Sequence, residues 1–460
     1  MCAHRAHHQP SYIIAVHGGA GYHQPASDPS LKRSLRVAIS SAQPAFSGTT
    51  ARRGTTSSGG RSSELLSSSR PALDATTAVI AALEDHPDFN AGYGSNLTFD
   101  GQVECDASLM LSTSEESILP SLPSLPSSSS SPPYSYSFGS VGAVRGVRNP
   151  VLLARCVLEE RIRERERGPG MGTGMGMGRV PPLMLVGEGA VQFARERGVR
   201  VVDDTDSEGM VAPRAREEWR MWREGCSRWM DDGDGLESGG LLQGEEKGIE
   251  AVEAELEPLR VRLDTVGAVV LVSDSDTEVR NVEQKVEIAA GVSRCVMSYF
   301  SFLDTCPRLT VLSSAGDQRR HTAQTLWTRW RGQSIQTSLF LVFRFGRLIQ
   351  SFILSLLLLQ AAIFGSGCWA ERSSVGGGRS VACSVSGQGE LIMQSFLAKT
   401  LAERTVASAE GDTHEVLRSV LVDQFYGALL LIILSPNVGR GKMSAFPTRF
   451  PSPTPGGFGT

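Results

Sequence analysis

The eight cysteines of this 460-residue chain form no CxxC pair, and no histidine stands at metal-ligand spacing from any of them. That argues against a zinc-binding or dithiol redox motif and leaves the thiols reduced and mostly buried. An excess of one charge is also missing. Lys and Arg number 45 against 49 Asp and Glu, a net −4, so no basic field draws the protein to nucleic acid or an anionic membrane. The opening stretch MCAHRAHHQPSYIIAVHGGAG lacks a charged segment followed by an apolar core. It does not read as a secretory leader, so an intracellular protein is expected, in the cytoplasm or the nucleus. In that setting Asn96-Leu97-Thr98 matches a glycosylation sequon by chance.

Periodic apolar patterning is absent from three stretches. Residues 47–70 fall to Ser, Thr, Gly and Arg, residues 113–137 to Ser and Pro, and residues 203–262 to dense charge around DDGDGLESGG. None can bury enough apolar surface to order itself, so disordered segments are expected there. Between them the pattern is α/β. Tyr12 to Val16 reads as a strand entering the glycine turn of HGGAG, and PALDATTAVIAALEDHP as a helix with Pro71 in its first turn. QVECDASLML and GSVGAVRGVRNP read as strands, VLLARCVLEERIRERER as an amphipathic helix, and PPLMLVGEGAVQFARERG as strand, turn and helix. LDTVGAVVLV is a buried strand, and SVACSVSGQGELIMQSFLAKTLAE is strand, glycine turn and helix. Leu348 to Gly365 is uncharged over about the shortest length that spans a bilayer. One marginal span late in an α/β pattern makes a membrane helix the weaker reading.

The aspartate and threonine of LDTVGAVV carry the most chemistry. A threonine hydroxyl is a weak nucleophile without a base beside it. Cutting the bond before Thr265 frees an α-amino group with a reference pKa of about 8, which supplies that base within the same residue. The threonine must then open a buried strand, after a segment able to enter the site and leave it. Thr265 meets both conditions, with a charged linker before it and Val266, Gly267 and Ala268 after it. Taken alone, LDTVGAVV is also an ordinary junction of loop and strand, and SGQGE an ordinary turn with Glu390 in the first turn of a helix.

LDTVGAVV resembles the nucleophile segment of the type 2 (plant-type) asparaginases, which are N-terminal nucleophile hydrolases. HGGAGYH, ALDATTAVIAALEDHPDFNAGYGSNL, VECDASLM, GAVRGVRNPVLLAR, RVPPLMLVGEGA, GSGCWAE and SGQGE stand around it in the family's order. The resemblance implies a four-layer αββα sandwich assembled from an N-terminal part, 11–264, and a C-terminal part, 265–460. It implies self-cleavage between Asp264 and Thr265 and a homodimer of processed units. By the same resemblance Thr265 is nucleophile and base, Ser386 and Gly387 contribute to the oxyanion pocket, and Gly389 lies close to bound substrate. Asn90 and Gly92 belong to the loop packed near the nucleophile. No cofactor or catalytic metal is implied, although some members hold a structural sodium ion near such a loop. Aspartate before the threonine, together with AGYH, GSNL, ECDAS and GCWAE, resembles the threonine aspartase (taspase) branch. That branch implies a threonine-type endopeptidase cutting after aspartate in protein or peptide substrates. The alternatives are an isoaspartyl peptidase or L-asparaginase acting on small β-aspartyl compounds, and a catalytically inactive form.

The last alternative rests on a departure. Arg294 stands where the family places a helper Ser or Thr, and the glycine pair and PGRVG arginine expected after it are missing. Residues 294–360 read as an anomalous insert with the composition of translated non-coding sequence, after which the family pattern resumes at QAAIFGSGCWAE. The C-terminal stretch from Phe425 matches the family's closing strand poorly, so that strand is expected to be altered or missing.

Overall fold

The computed structural model of the protein describes residues 11–19, 28–46, 70–98, 100–113, 136–167, 181–202, 209–231, 265–273, 286–295, 359–372, 380–387, 389–407, 413–421, 430–437 and 440–447. In chain order these form β1 (Ser11–His17), α1 (Asp28–Ser40), α2 (Gln43–Phe46), α3 (Pro71–Glu84), β2 (Glu104–Thr113), β3 (Tyr136–Arg145), α4 (Pro150–Arg167), β4 (Met184–Val186), α5 (Gly187–Arg197) and α6 (Pro213–Asp231). Then come β5 (Val266–Ser273), β6 (Val286–Cys295), β7 (Cys368–Glu371), β8 (Val381–Ser386), α7 (Gly389–Gln394), α8 (Leu397–Ala407), α9 (Thr413–Leu421), β9 (Leu430–Asn437) and β10 (Arg440–Pro447). The architecture is mixed α/β.

Two sheets organise it. A six-stranded sheet runs β1-β5-β6-β2-β3-β4, antiparallel except where β4 joins β3 in parallel. It interleaves strands from both sides of residue 264. A four-stranded antiparallel sheet runs β10-β9-β8-β7, and its β7 and β8 pack on β2, β5 and β6. Strand β5 is buried at every position, which explains why VGAVVLVS is a continuous run of small and β-branched residues rather than an alternation. Successive side chains still point to opposite faces. Val266, Ala268, Val270 and Val272 enter the core shared with Leu73, Ile80, Leu153 and Leu158 of α3 and α4. Val269 and Leu271 enter a second core with Ala290, Val292, Trp369 and Val385 between the sheets. Helix α8 closes the far side of that core with Leu397 and Leu401. Each fully buried side chain of this size contributes about 1.5–3 kcal/mol.

Polar residues tie the helices to the sheet. Arg70 gives α3 no side-chain cap, and Glu287 of β6 serves instead. Its Oε1 accepts from Ala72 N–H at 2.8 Å and Leu73 N–H at 3.2 Å. On α4 the wholly buried Arg155 pairs with Asp74 of α3 and Glu159 of its own helix. Helix α5 stops at Gly198, whose φ of 70° is the left-handed conformation glycine tolerates.

Several sequence expectations change here. Residues 213–231 lie inside the stretch expected to be disordered, yet they form α6. Pro213 suits its first turn, Arg214 pairs with Glu218 one turn on, and Ala212 and Ala215 are buried. The charges that made the stretch read as a linker are the solvated face of a docked helix. Arg214 donates to the carbonyls of Gly94 and Pro87, and Trp219 packs on Gly101. Thr113, Tyr136 and Ser137 belong to β2 and β3 rather than to a Ser/Pro excursion. Arg294 and Cys295 end β6, and Leu359 and Gln360 are buried, so the borders of the anomalous insert are structured. The closing edge is also present, because β9 and β10 extend the second sheet beyond β8. Among the described residues no helix is long and apolar enough to cross a membrane, and residues 348–358 of the apolar run lie outside them.

Candidate active site

The first residue described after the charged stretch is Thr265, which is buried and precedes β5 directly. Pairing of Val266 with Ser293 carries the ladder to its end, so the next step sets Thr265 beside Arg294. Arg294 in turn pairs with Asp106 of β2. On the other side of β5, His17 of β1 is paired with Gly267. His17, Thr265, Arg294 and Asp106 therefore form a row across one end of the six-stranded sheet, on the face turned toward the second sheet.

The second sheet supplies the opposite wall. Thr265 N–H lies 3.4 Å from Ser386 Oγ at the end of β8. Two residues earlier, Ser384 Oγ donates to Gly291 O at 3.1 Å and lies 2.8 Å from His17 Nε2. With its proton directed to Gly291, Ser384 Oγ can accept from Nε2–H. The sheets approach closely here because Gly267 has no side chain. A Cβ at that position would overlap both Ser384 Oγ and His17 Nε2.

Burial sets the electrostatics. It pushes His17 down to about 4, and the backbone of Thr265 beside the ring acts the other way. Among the described residues Nδ1 makes no well-formed hydrogen bond. Asp106 sits at a bulge between β2 and β3, facing Ala143, whose φ of 49° is unusual for a residue with a Cβ. Its Oδ1 accepts from Ala143 N–H at 2.8 Å and its Oδ2 makes no hydrogen bond among the described residues. Burial raises this carboxyl to about 7, while the Ala143 bond and the Arg294 charge oppose the rise. Arg294 is half-buried. Its Nη1 donates to Gln360 Oε1 at 2.6 Å and its Nε to Cys295 O at 3.3 Å.

The residues expected at the site from sequence are distributed as follows. Thr265 and Ser386 meet directly. Gly387 follows Ser386, and Gly389 opens α7 where a Cβ would come within 2.8 Å of Arg294 Nη1. Asn90 is one strand removed. Its carbonyl accepts from Cys295 N–H at 3.1 Å and its Oδ1 from Asn96 N–H at 2.8 Å, so it braces the end of β6 and makes no hydrogen bond to Thr265 among the described residues. Gly92 has a φ of 55° in a single 3-10 turn and lies against Glu84 of α3, behind that loop. Asp264 lies outside the described residues. Sequence reasoning did not single out His17, Ser384, Asp106 or Gln360. For His17 a signal was present, since it directly precedes the glycine pair of HGGAG. Among the described residues no group of three or more His, Cys, Asp or Glu could hold a metal ion. Cys105, Cys156, Cys295, Cys368 and Cys383 are buried and outside any disulfide.

Comparison with known proteins gives this site a context. Residues 11–117 match the Asparaginase_2 family, described as "Asparaginase". The chain is 34% identical over 153 residues to a plant-type L-asparaginase of Pyrococcus abyssi, covering 33% of this chain and 35% of that protein. It is 29% identical over 212 residues to an isoaspartyl peptidase/L-asparaginase of Rattus norvegicus, covering 46% of this chain and 45% of the relative. Over 128 residues it is 35% identical to the isoaspartyl peptidase/L-asparaginase of Macaca fascicularis, covering 28% of this chain and 29% of the relative. The chain thus spans between about a third and a half of the length of most of these relatives. Over these segments the chain is similar to plant-type asparaginases and isoaspartyl peptidases.

Proposed function

We propose that the protein is a threonine-type N-terminal nucleophile hydrolase that cleaves its own Asp264–Thr265 bond and then hydrolyses β-aspartyl amide bonds in small substrates. This is the reaction class of an isoaspartyl peptidase or L-asparaginase, and the names of the relatives favour it. The observation that carries the reading is Thr265 buried at the mouth of β5 with its N–H 3.4 Å from Ser386 Oγ of the facing sheet. The finer architecture proposed is the αββα sandwich of that class, supported by α3 and α4 on one sheet, the sheet-to-sheet core, and α8 on the other sheet. A homodimer of processed units inside the cell belongs to the same proposal.

In the first reaction Thr265 Oγ1 attacks the carbonyl carbon of Asp264, and the acyl group passes from nitrogen to oxygen. Water then hydrolyses the ester and releases Thr265 with a free α-amine. That amine takes the proton from Oγ1 in each later turnover, as the hydroxyl attacks the substrate carbonyl and forms an acyl-enzyme. In this reading Ser386 Oγ, 3.4 Å from Thr265 N, orients the amine, and Ser386 and Gly387 are assigned to the oxyanion pocket. Burial keeps the proton affinity of His17 low, so the ring does not compete with the amine for the proton of Oγ1.

A second reading keeps the endopeptidase that cuts after aspartate, and its specific support is Asp264 itself, which stands before the nucleophile. Turnover of a β-aspartyl dipeptide, with no cut in an aspartate-containing peptide, favours the first reading; the reverse favours the second. The inactive form draws support from Arg294, which offers no hydroxyl beside Thr265. Intact mass after prolonged incubation tests the shared premise. Two fragments meeting between Asp264 and Thr265 are expected for the wild type and none for Thr265→Ala. A wild-type chain that stays whole sinks the hydrolase reading in favour of the inactive form.

A further inference from the structure

Two cysteines from opposite sides of the Asp264–Thr265 bond face each other inside the six-stranded sheet. Cys105 of β2 is the direct partner of Cys295 of β6, and both are fully buried in the core shared with α3 and α4. Directly opposed residues of antiparallel strands point to the same face, with Cα atoms about 4.5–5.5 Å apart. A disulfide needs about 4.4–6.8 Å, so neither strand has to move far to admit one. The two thiols interact side chain to side chain, and that contact, ahead of burial, pushes the Cys105 thiol up. Ser95 Oγ lies 3.3 Å from Cys105 Sγ, and Cys295 Sγ donates to Asn96 O at 2.8 Å. Both positions also have slack. Cys295 is the last residue of β6, and the pairing of β2 with β3 is irregular between Cys105 and Ala107. A strand end and a bulge absorb torsional demands that a regular mid-strand pair would resist. Cys368 and Cys383 of the second sheet make the contrast, since Cys368 pairs with Ser384 and Cys383 with Trp369. One step out of register, they leave opposite faces of their sheet, toward Ser108 and Ala398, and cannot bridge.

We propose that Cys105 and Cys295 are a redox pair, and that their oxidation by a hydroperoxide closes a covalent staple between the chain before Thr265 and the chain after it. One sulfur takes an oxygen atom from hydrogen peroxide, giving a sulfenic acid and water. The second thiol attacks that sulfur, forms the S–S bond and releases the hydroxyl as another water. The thiols give up two electrons and two protons, and one peroxide becomes two waters. Hydrogen peroxide is close to water in size, so it is the oxidant that a buried pair admits most readily. The product is uncharged and apolar, which suits the core around it. In an uncut chain the staple closes a loop. After cleavage before Thr265 it becomes a covalent link between two pieces that strand pairing across the sheet otherwise holds. That consequence rests on the self-cleavage reading, whereas the bond itself does not.

The test is to treat the full-length folded protein with hydrogen peroxide, alkylate the thiols that remain, and digest with trypsin in the absence of reductant. A cross-linked pair is expected between the peptide holding Cys105 and the peptide that begins at Cys295, and dithiothreitol should separate it. The second peptide also holds Cys306, so the cross-link should persist in Cys306→Ser and vanish in Cys295→Ser. Fragment spectra that place the bond on Cys295 decide the case without a variant, should either serine variant fail to fold. Thr265→Ala, which keeps both cysteines, should form the same cross-link in an uncut chain. For processed wild type, denaturing electrophoresis without reductant should show one band at the mass of the whole chain, and dithiothreitol should resolve it into two. Folded wild-type protein whose Cys105 and Cys295 are recovered alkylated, or carried on to sulfinic acid, overturns the redox pair. So does a bond placed on Cys306. A chain that forms the cross-link yet never cleaves itself supports the redox pair and sinks the hydrolase reading.

Discussion

The two faces of the six-stranded sheet solve opposite problems. On the face covered by α3 and α4, the buried charges of Arg155 and Glu287 are used: Arg155 lies between Asp74 and Glu159, and Glu287 takes two N–H groups of α3. At the β5 end of the other face, polar groups are brought together and left incomplete. Among the described residues His17 Nδ1 and Asp106 Oδ2 make no well-formed hydrogen bond, and Arg294 donates to the uncharged Gln360 Oε1 and Cys295 O rather than to a carboxylate. Gly267 reduces packing there to the bare backbone, whereas Leu73, Ile80 and Leu83 fill the helical side. Full pairing stabilises a fold and leaves nothing to react. Unspent hydrogen-bonding capacity beside a buried threonine is what a site requires, and the rest of the sheet must supply the stability that this end gives up.

That contrast can be broken by substitutions that distinguish stability from chemistry. Arg155→Ala should have the largest effect on stability, about 3–5 kcal/mol, because it strands Asp74 and Glu159 in the interior. Chemical denaturation reads that loss, and the fraction that remains folded should cleave itself at the wild-type rate. Gly267→Ala should do the reverse. The added methyl collides with Ser384 and His17 and costs about 1–3 kcal/mol as overpacking. It also forces β8 away from β5, so self-cleavage should fall by at least about tenfold even where the protein is fully folded. Folded Gly267→Ala that cleaves as fast as wild type would mean the close approach of the sheets has no bearing on the nucleophile. Ser384→Ala should be milder, about 1 kcal/mol, since it removes one hydroxyl that joins His17 to Gly291. A loss of several kcal/mol in its melting free energy would instead give the hydroxyl the weight of the ion pairs on the other face.

Much of this arrangement was legible in the sequence, for identifiable reasons. PALDATTAVIAALE has helical spacing and a proline start, and VGAVVLVS has the continuous small apolar character of a strand covered on both sides, so α3 and β5 follow from local pattern. Thr265 was legible because its chemistry needs a strand mouth after a polar segment. The meeting of Thr265 with Ser386 across 121 residues came only from family resemblance, since no local pattern encodes the contact of one sheet with another. Helix α6 was hidden because its stabilising partners, the carbonyls of Pro87 and Gly94, are remote in sequence. Asp106 and Arg294 escaped notice as a pair for the same reason: register brings them together, and register is decided by which strands become neighbours.

The smallest effect compares one carboxyl from each face, Asp106 and Glu287, both raised to about 7 chiefly by burial. Their ordinary values are 3.8 and 4.5, so in the unfolded chain each ionises well before it does in the fold. Each therefore contributes stability that is fully present below about pH 4 and is lost as the pH rises through about 7. His17 works in the opposite sense: lowered from 6.5 to about 4, it contributes stability above 6.5 that is lost as the pH falls toward 4. Asp106→Asn keeps the oxygen that Ala143 donates to, and Glu287→Gln keeps the oxygen that caps α3. Neither amide ionises. Thermal melting across this range should show the gain of each variant over wild type growing with pH and levelling off above about 7. Asp106→Asn should show the cleaner rise, because the amide nitrogen replaces an oxygen that makes no hydrogen bond among the described residues, whereas Glu287→Gln gives up an anion at a helix N-terminus. A difference that stays constant from acid to neutral pH would mean these carboxyls do not titrate in the folded protein, and the electrostatic contrast between the two faces would then rest on hydrogen bonds alone.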